Sequence, residues 1–122
     1  MKSFIASMIL AVIVLSAVVA NYFYINNVAN TMRSMLEEAG SMPNSRSGEQ
    51  ADALIRYWEK AEPIVGLSTE YPILDRIKEQ ALLLRTAAQT GDVFGYCAAY
   101  AMLLDALEDM RRLERFSVGN LF

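Results

Sequence analysis

Residues 4–25 of the chain read FIASMILAVIVLSAVVANYFYI. From Phe4 to Ala20 every side chain is apolar except those of Ser7 and Ser16, whose hydroxyls can bond to carbonyls of their own helix. As an α-helix the stretch is about 33 Å long, which matches the hydrocarbon core of a bilayer. Its outer end carries aromatic residues typical of a membrane interface, Tyr22, Phe23 and Tyr24. We therefore predict that residues 1–25 form a transmembrane anchor and residues 26–122 a separate helical domain.

Two other interpretations of this stretch stay open. A signal peptide would be cut after Ala20, since the preceding Val18 and Val19 are acceptable to signal peptidase. A buried core helix is the other option, although so long a run without charge is rare in a small soluble domain. We favour the uncleaved anchor because the apolar run is longer than that of most signal peptides, and only Lys2 precedes it.

The flanking charges predict the orientation of this helix in a membrane. Lys2 and the amino terminus are positive on one side, whereas on the other side Arg33 is offset by Glu37 and Glu38. The positive-inside tendency then places the N-terminus in the cytoplasm. We predict a single-pass protein of the cell membrane with an extracytoplasmic C-terminal domain, and the cleaved alternative puts that domain on the same side.

The composition argues against several functions. A net charge of −3 does not favour nucleic acid, which is bound by a basic stripe. The chain has no histidine, and Cys97 is its single cysteine, so the commonest general base is missing and no internal disulfide can form. Phosphate-binding loops, nucleophile elbows and metal-ligand spacings are also missing from the sequence. We predict a protein that is not an enzyme and has no metal or cofactor site.

Apolar residues at three- and four-residue spacing predict helices beyond the membrane segment. The first helix continues outside the membrane until Gly40, with an apolar stripe of Ile25, Val28, Met32, Met35, Leu36 and Ala39. A loop follows, and Ser47 with Gln50 fits a capping box, which predicts a second helix from Gly48 or Glu49. Pro63 is expected to end or kink that helix.

The remaining boundaries follow from caps and turn residues. Ser68 or Thr69 can cap a third helix that has Pro72 in its first turn. This helix should end at Gly91, and Asp92 can cap a fourth helix directly, which makes the two helices antiparallel neighbours. No segment alternates as a strand does. We predict an all-α fold, in which an N-terminal transmembrane helix precedes an up-and-down antiparallel bundle of three to four helices.

The C-terminal tail is the first candidate contact surface. The fourth helix is expected to end near Arg115, which leaves seven residues more apolar than a free tail should be. They either pack back across the end of the bundle or dock into a partner. With two methionines of the first helix, they form our predicted partner contact: Phe116, Val118, Leu121, Phe122, Met32 and Met35.

Aromatic residues at helical spacing give a second candidate, a ligand pocket lined by Trp58, Tyr96 and Tyr100. Side chains of this kind more often fill a core. Cys97 lies on an apolar face, where we interpret it as a small hydrophobe rather than a reactive thiol. Neighbouring carboxylates such as Glu108 and Asp109 point in different directions on a helix and are interpreted as a solvated surface.

The order of these features resembles a bacterial family known as domain of unknown function 4363, whose members have one membrane helix followed by a helical domain. The similarity extends over nearly the whole chain. This chain departs from the family pattern at Ser68-Thr69, where relatives often have a histidine, and at Gly119, where they often have an acidic residue. The matching features are the anchor, Trp58, Glu70, the Gly91-Asp92 turn, the leucines Leu103, Leu104 and Leu107, and Ser117 with the Asn120-Leu121-Phe122 ending.

The resemblance implies an accessory role, because the family has no established activity and its genes often lie beside those of multi-span membrane proteins. The predicted function is therefore a non-enzymatic, membrane-anchored accessory protein that stabilises or regulates a larger, multi-span membrane protein through its extracytoplasmic bundle. The alternative is an extracytoplasmic sensor or binding module for a small hydrophobic or cell-wall ligand.

Overall fold

The computed structural model describes the backbone of residues 1–67 and 69–121, and the side chains of residues 1–67 and 69–112. Within this part of the chain there are four α-helices and no strand: α1 Lys2–Ala39, α2 Ser47–Val65, α3 Tyr71–Thr90 and α4 Val93–Leu121. The predicted all-α fold is confirmed.

The helices form a ring in which each one contacts its two neighbours. Helix α1 packs on α2 and α4, and α3 packs on the same two helices from the opposite side. Short connections between successive helices give the antiparallel up-and-down order that the sequence predicts. The C-terminal part of α1, from Ile25 to Ala39, is therefore the fourth member of the bundle.

Helix α1 runs through two different environments without a break. In its N-terminal part, an apolar stretch long enough to cross a membrane has none of its length buried against the rest of the chain. From Ile25 onward its apolar stripe is covered by α2 and α4, with Ile25, Val28, Ala29, Met32, Leu36 and Ala39 all buried. One continuous helix thus links an exposed apolar N-terminal part to the core of the bundle.

The core contains side chains from all four helices. Its largest fully buried members are Trp58 on α2 and Tyr96 on α4, surrounded by aliphatic residues. Each helix contributes at three- and four-residue steps, as the periodicity predicts. The principal aliphatic members are Ile25, Leu36, Leu54, Val65, Ile77, Leu84, Leu103 and Met110.

The start of α2 corrects the predicted capping box. The helix begins at Ser47, with Arg46 as its N-cap and no side-chain cap. The hydroxyl of Ser47 instead accepts a hydrogen bond from the backbone N–H of Asn44 at 2.7 Å, and its side chain also bonds to that of Tyr96. Because both interactions are with residues outside α2, Ser47 ties the loop to α4.

The connection between α2 and α3 also differs from the expected one. Helix α2 continues through Pro63 to Val65 and ends at Gly66. Glu70, rather than Thr69, is the N-cap of α3, without a side-chain cap bond, and Ser68 lies outside the described residues. Thr69 is buried and supplies no side-chain cap bond to α3. Proline stands in the first turn of α3, as predicted.

The turn from α3 to α4 follows the prediction closely. Gly91 adopts a left-handed conformation with φ 72°, which favours glycine, and closes α3. The carboxylate of Asp92 accepts a hydrogen bond from the backbone N–H of Gly95 at 2.9 Å and so caps α4. The other end of α4 is a correction, because the helix runs to Leu121 and not to Arg115. Without a proline after Arg115, nothing interrupts the hydrogen-bond pattern of the helix.

Replacing Asp92 by alanine should lower the free energy of unfolding by about 1 kcal/mol, because the Gly95 amide loses its side-chain acceptor. Asp92→Asn retains an oxygen at the same position and serves as the matched control. Urea unfolding followed by circular dichroism measures both variants. Equal losses in the two would show that the cap contributes nothing.

Removing residues 1–20 should leave the bundle folded, because the exposed part of α1 adds no fully buried side chain to the core. The shortened chain is expected to stay in solution without detergent and to unfold within a few degrees of the full chain. Thermal unfolding and size-exclusion chromatography check this expectation. Loss of helical signal in the shortened chain would mean that residues 1–20 are needed for folding.

Candidate membrane-contact and partner-contact surfaces

The apolar segment, defined as residues 4–20 of α1, exposes large side chains on every side of the helix. A helix that packs in a protein core or lies along a groove hides at least one face. Here no face is hidden, as is typical of a helix surrounded by lipid. The large exposed side chains are Phe4, Ile5, Met8, Ile9, Leu10, Val12, Ile13, Val14 and Leu15.

Aromatic residues mark the change from the apolar segment to the bundle. The rings of Tyr22 and Phe23 meet edge to face, with their centroids 5.6 Å apart. Phe23 is exposed, whereas Tyr22 and Tyr24 are half-buried just before the first core residue, Ile25. Rings at this height suit the boundary between a hydrocarbon core and water.

The C-terminal end of α4 lies at the level of the same boundary. Arg111 donates a hydrogen bond to Asn30 of α1 at 3.0 Å, and Arg33 lies 3.9 Å from Glu108. Glu108 is therefore level with Arg33, and Arg111 is level with Asn30. Because the two helices are antiparallel, each step forward along α4 corresponds to an equal step back along α1. Leu121, at the end of α4, is therefore level with about residue 20 of α1.

The end of α2 reaches the same height. Met35 of α1 and Gln50 of α2 line one shallow groove, so the two helices are in register there. Val65 ends α2 fifteen residues after Gln50 and is level with about residue 20 of α1. The loop from α2 to α3 and the C-terminal end of α4 are therefore both level with the C-terminal end of the apolar segment.

The residues of the predicted ligand pocket belong to the core. Trp58 and Tyr96 are both fully buried, and Tyr100 is half-buried with its ring stacked on that of Tyr96 at 6.4 Å. The hydroxyl of Tyr96 donates a hydrogen bond to the carbonyl of Gly40 at 2.9 Å. Trp58 and Tyr96 therefore fill the core, and the hydroxyl of Tyr96 fastens the end of α1 to α4.

The environment of the two tyrosines disfavours their ionised forms. Burial raises the pKa of Tyr96, and the neighbouring Cys97 adds to this, whereas the hydrogen bond with Ser47 acts in the opposite direction. Burial also raises the pKa of Tyr100, with a further contribution from the carboxylate of Glu37. Both phenols therefore stay neutral at physiological pH.

The predicted partner contact is only partly accessible. Met32 is fully buried in the core, which corrects the expectation that it faces a partner, since it lies on the face of α1 covered by α2 and α4. Met35 is half-buried beside the shallow groove between α1 and α2. The remaining predicted contact residues, Phe116, Val118, Leu121 and Phe122, have side chains outside the described part of the chain.

Cys97 lies beneath the loop between α1 and α2. Its thiol is half-buried, donates to the carbonyl of Ser41 at 3.3 Å and lies 3.6 Å from the sulfur of Met42. This placement agrees with its interpretation as a packing residue.

Carboxylates on the bundle surface pair with arginines of neighbouring helices. Arg76 of α3 contacts Asp109 at 2.8 Å and Asp105 at 3.2 Å, and Arg85 contacts Asp52 of α2 at 3.4 Å. These pairs were not predicted from the sequence, although Asp105 and Asp109 stand four residues apart and so share a helix face. Among the described residues, no group of three or more metal-ligating side chains occurs.

A groove of about 410 Å³ lies between α1 and α4 and is lined by Arg33, Ala101, Leu104, Asp105 and Glu108. Charges of both signs surround its small apolar floor. It is open to solvent and lies on the exterior of the bundle, away from the buried rings of Trp58 and Tyr96. Its mixed charges suit contact with a polar surface more than enclosure of a hydrophobic ligand.

Comparison with known proteins finds no match among family models, curated proteins or solved structures. The resemblance to the family of domain of unknown function 4363 therefore stays a prediction.

Replacing Tyr96 by phenylalanine should lower the free energy of unfolding by about 1 kcal/mol at neutral pH, because the Gly40 carbonyl loses its donor. The pKa of Tyr96 is raised in the folded state, so the neutral, buried phenol stabilises the fold fully below the pKa of about 10 that it has in the unfolded chain. This contribution is lost as the pH rises through the pKa of the folded state. The difference between the two proteins should therefore shrink above about pH 10. Urea unfolding across this range measures it.

Tyr100→Phe is the matched control, since Tyr100 is half-exposed and its ring stacks on Tyr96. It should cost less than Tyr96→Phe at neutral pH. A difference between wild type and Tyr96→Phe that stays constant through alkaline pH would contradict the proposed role of the buried phenol.

Proposed function

We propose that this protein is a non-enzymatic accessory subunit of the cell membrane, in which α1 anchors the bundle and holds it against a larger multi-span membrane protein. The observation that carries the proposal is the continuity of α1, which passes from a fully exposed apolar segment into the core of the bundle.

Continuity matters because it fixes the bundle relative to the anchor. Ile25 through Ala39 contribute six buried side chains to the interface with α2 and α4. The bundle cannot turn about α1 without unpacking this interface. A domain that only needs to stay near a membrane is commonly joined by a flexible Gly- or Ser-rich linker. A rigid connection instead favours a function that requires a defined position over a neighbouring membrane protein.

The apolar segment also has features that suit contact with other membrane helices. Ser7 and Ala11 are four residues apart, and so are Ser16 and Ala20. Small side chains at this spacing allow transmembrane helices to approach closely. The two pairs lie on roughly opposite faces of α1, so one face can contact a partner while the other contacts lipid or a second helix.

The proposed orientation has the N-terminus in the cytoplasm and the bundle outside. Support comes from Lys2, which stands at the free end of α1, and from the ion pair of Arg33 with Glu37 at 3.1 Å, which offsets the nearest positive charge on the bundle side.

The packing favours this function over the alternative of a sensor or binding module. That alternative relied on Trp58 and Tyr96 as the lining of a ligand cavity. Both side chains are fully buried in the core, and Tyr96 uses its hydroxyl to hold Gly40. A ligand that bound beside them would have to displace core side chains.

The proposal is tested by photo-crosslinking in native membranes, with a photoreactive residue at Val12 in the apolar segment or at Phe116 near the end of α4. Mass spectrometry should identify the same multi-span membrane protein from both positions, in nearly equal amount with the bait. Recovery of the protein alone from both positions would contradict the accessory role.

A matched pair of variants tests the rigid connection. Residues 21–24 are replaced by four glycines in one variant and by four alanines in the other. Both variants lose the same native side chains, but each glycine weakens a helix by about 1 kcal/mol relative to alanine. The alanine variant should keep both crosslinks. The glycine variant should keep the Val12 crosslink and lose most of the Phe116 crosslink. Equal Phe116 crosslinks in the two variants would show that rigidity is not needed.

A further inference from the structure

The loop between α2 and α3 and the helix ends on either side of it carry large apolar side chains that nothing in the described chain covers. Leu67 is 83% exposed, Tyr71 is 71% exposed and Ile64 is 47% exposed. Most other large apolar residues of the bundle are buried in its core. We call these three residues the apolar tip.

The apolar tip lies at the end of the bundle nearest the apolar segment. Val65 is level with about residue 20 of α1, so Leu67 and the start of α3 are at about the height of the Ala20–Tyr24 part of that helix, although α3 itself does not contact α1. The exposed ring of Phe23 is at the same height. A bilayer that surrounds the apolar segment would have its outer surface at this level.

The chemistry of the tip fits a membrane interface. Between Pro63 and Leu74 the one charged residue is Glu70, and the segment has no lysine or arginine. Leucine and isoleucine side chains partition into the boundary between headgroups and acyl chains, while tyrosine places its ring there and its hydroxyl in water. Attachment of this kind depends on apolar area and does not need anionic lipid.

We propose that the apolar tip inserts into the outer surface of the same bilayer that α1 crosses, as a second membrane contact of the bundle. The inference depends on the proposed anchoring of α1 but not on the existence of a partner protein. With α1 as one contact and the tip as another, the bundle has a fixed tilt on the membrane.

The opposite end of the bundle supplies a matched control. Phe94, at the start of α4, is 86% exposed and therefore as accessible as Leu67. It lies near Gly40, at the far end of α1, about 20 Å from the level of Ile25. A bilayer around the apolar segment cannot reach it.

The test uses the full chain in nanodiscs of phosphatidylcholine that hold one copy each. In a Cys97→Ala background, a nitroxide is attached to a single cysteine introduced by Leu67→Cys, Phe94→Cys or Val12→Cys. Electron paramagnetic resonance then compares collisions with oxygen, which concentrates in lipid, and with a water-soluble nickel chelate. The label at position 67 should meet the nickel chelate several-fold less often than the label at position 94, and the label at position 12 should be the deepest.

Each result separates this inference from the anchoring on which it depends. A deep label at position 12 with a fully water-exposed label at position 67 would overturn the membrane contact and leave the anchor intact. A water-exposed label at position 12 would overturn both. A third result is that position 67 is shielded only in discs that hold two copies, with dipolar broadening between the labels. In that case a second copy of the chain covers the apolar tip, and the proposal is wrong.

A double variant checks that the apolar side chains cause the shielding. Ile64→Asn with Tyr71→Asn, in the Leu67→Cys background, should make the label as accessible to the nickel chelate as the one at position 94. Circular dichroism should be unchanged, because both side chains are largely outside the core. Adding anionic lipid should not restore the shielding. Shielding that survives the double variant would contradict the role of the tip.

Discussion

The structure depends on one helix that meets the requirements of two solvents. In hydrocarbon every backbone amide and carbonyl must be bonded within the chain, which an unbroken helix achieves. In the bundle the same helix must offer an apolar stripe to α2 and α4, and Ile25, Met32 and Leu36 do so. Because α1 has no break between these regions, the bundle inherits its position from the apolar segment. The proposed accessory role and the proposed membrane contact of the α2–α3 loop both derive from this continuity.

The two ends of the bundle are built differently. At the end far from the apolar segment, Tyr96 holds the carbonyl of Gly40, Ser47 bonds to both the loop and Tyr96, and Asp92 caps α4. Polar interactions therefore close that end. At the other end, α2 stops at Gly66 and exposes Leu67 to its surroundings. Phe94 and Met42 are exposed at the far end as well, so the proposed membrane contact is supported by the height of Leu67 relative to the apolar segment and not by apolar exposure alone.

Much of the fold could be predicted from local sequence, whereas the candidate contact surface could not. The stop at Gly40, the turn at Gly91 and the cap at Asp92 depend on residues close in sequence, and all three are confirmed. Ser47 was wrong as a cap because α2 already begins at Ser47, and its hydroxyl oxygen instead accepts a hydrogen bond from the backbone N–H of Asn44 in the preceding loop. Met32 was wrong as a partner contact because the stripe on α1 does not reveal which of its members α2 and α4 cover.

The sequence by itself determined that the chain is helical, that its first helix carries a segment able to cross a bilayer, and where most turns fall. These properties arise from side-chain polarity and backbone preference within a few residues. Only the tertiary structure decided that the outer part of α1 completes a four-helix ring, that Trp58 and Tyr96 fill a core rather than line a pocket, and that Leu67 lies level with the end of the apolar segment. Those features depend on the register between helices, which arises from packing between residues far apart in the chain.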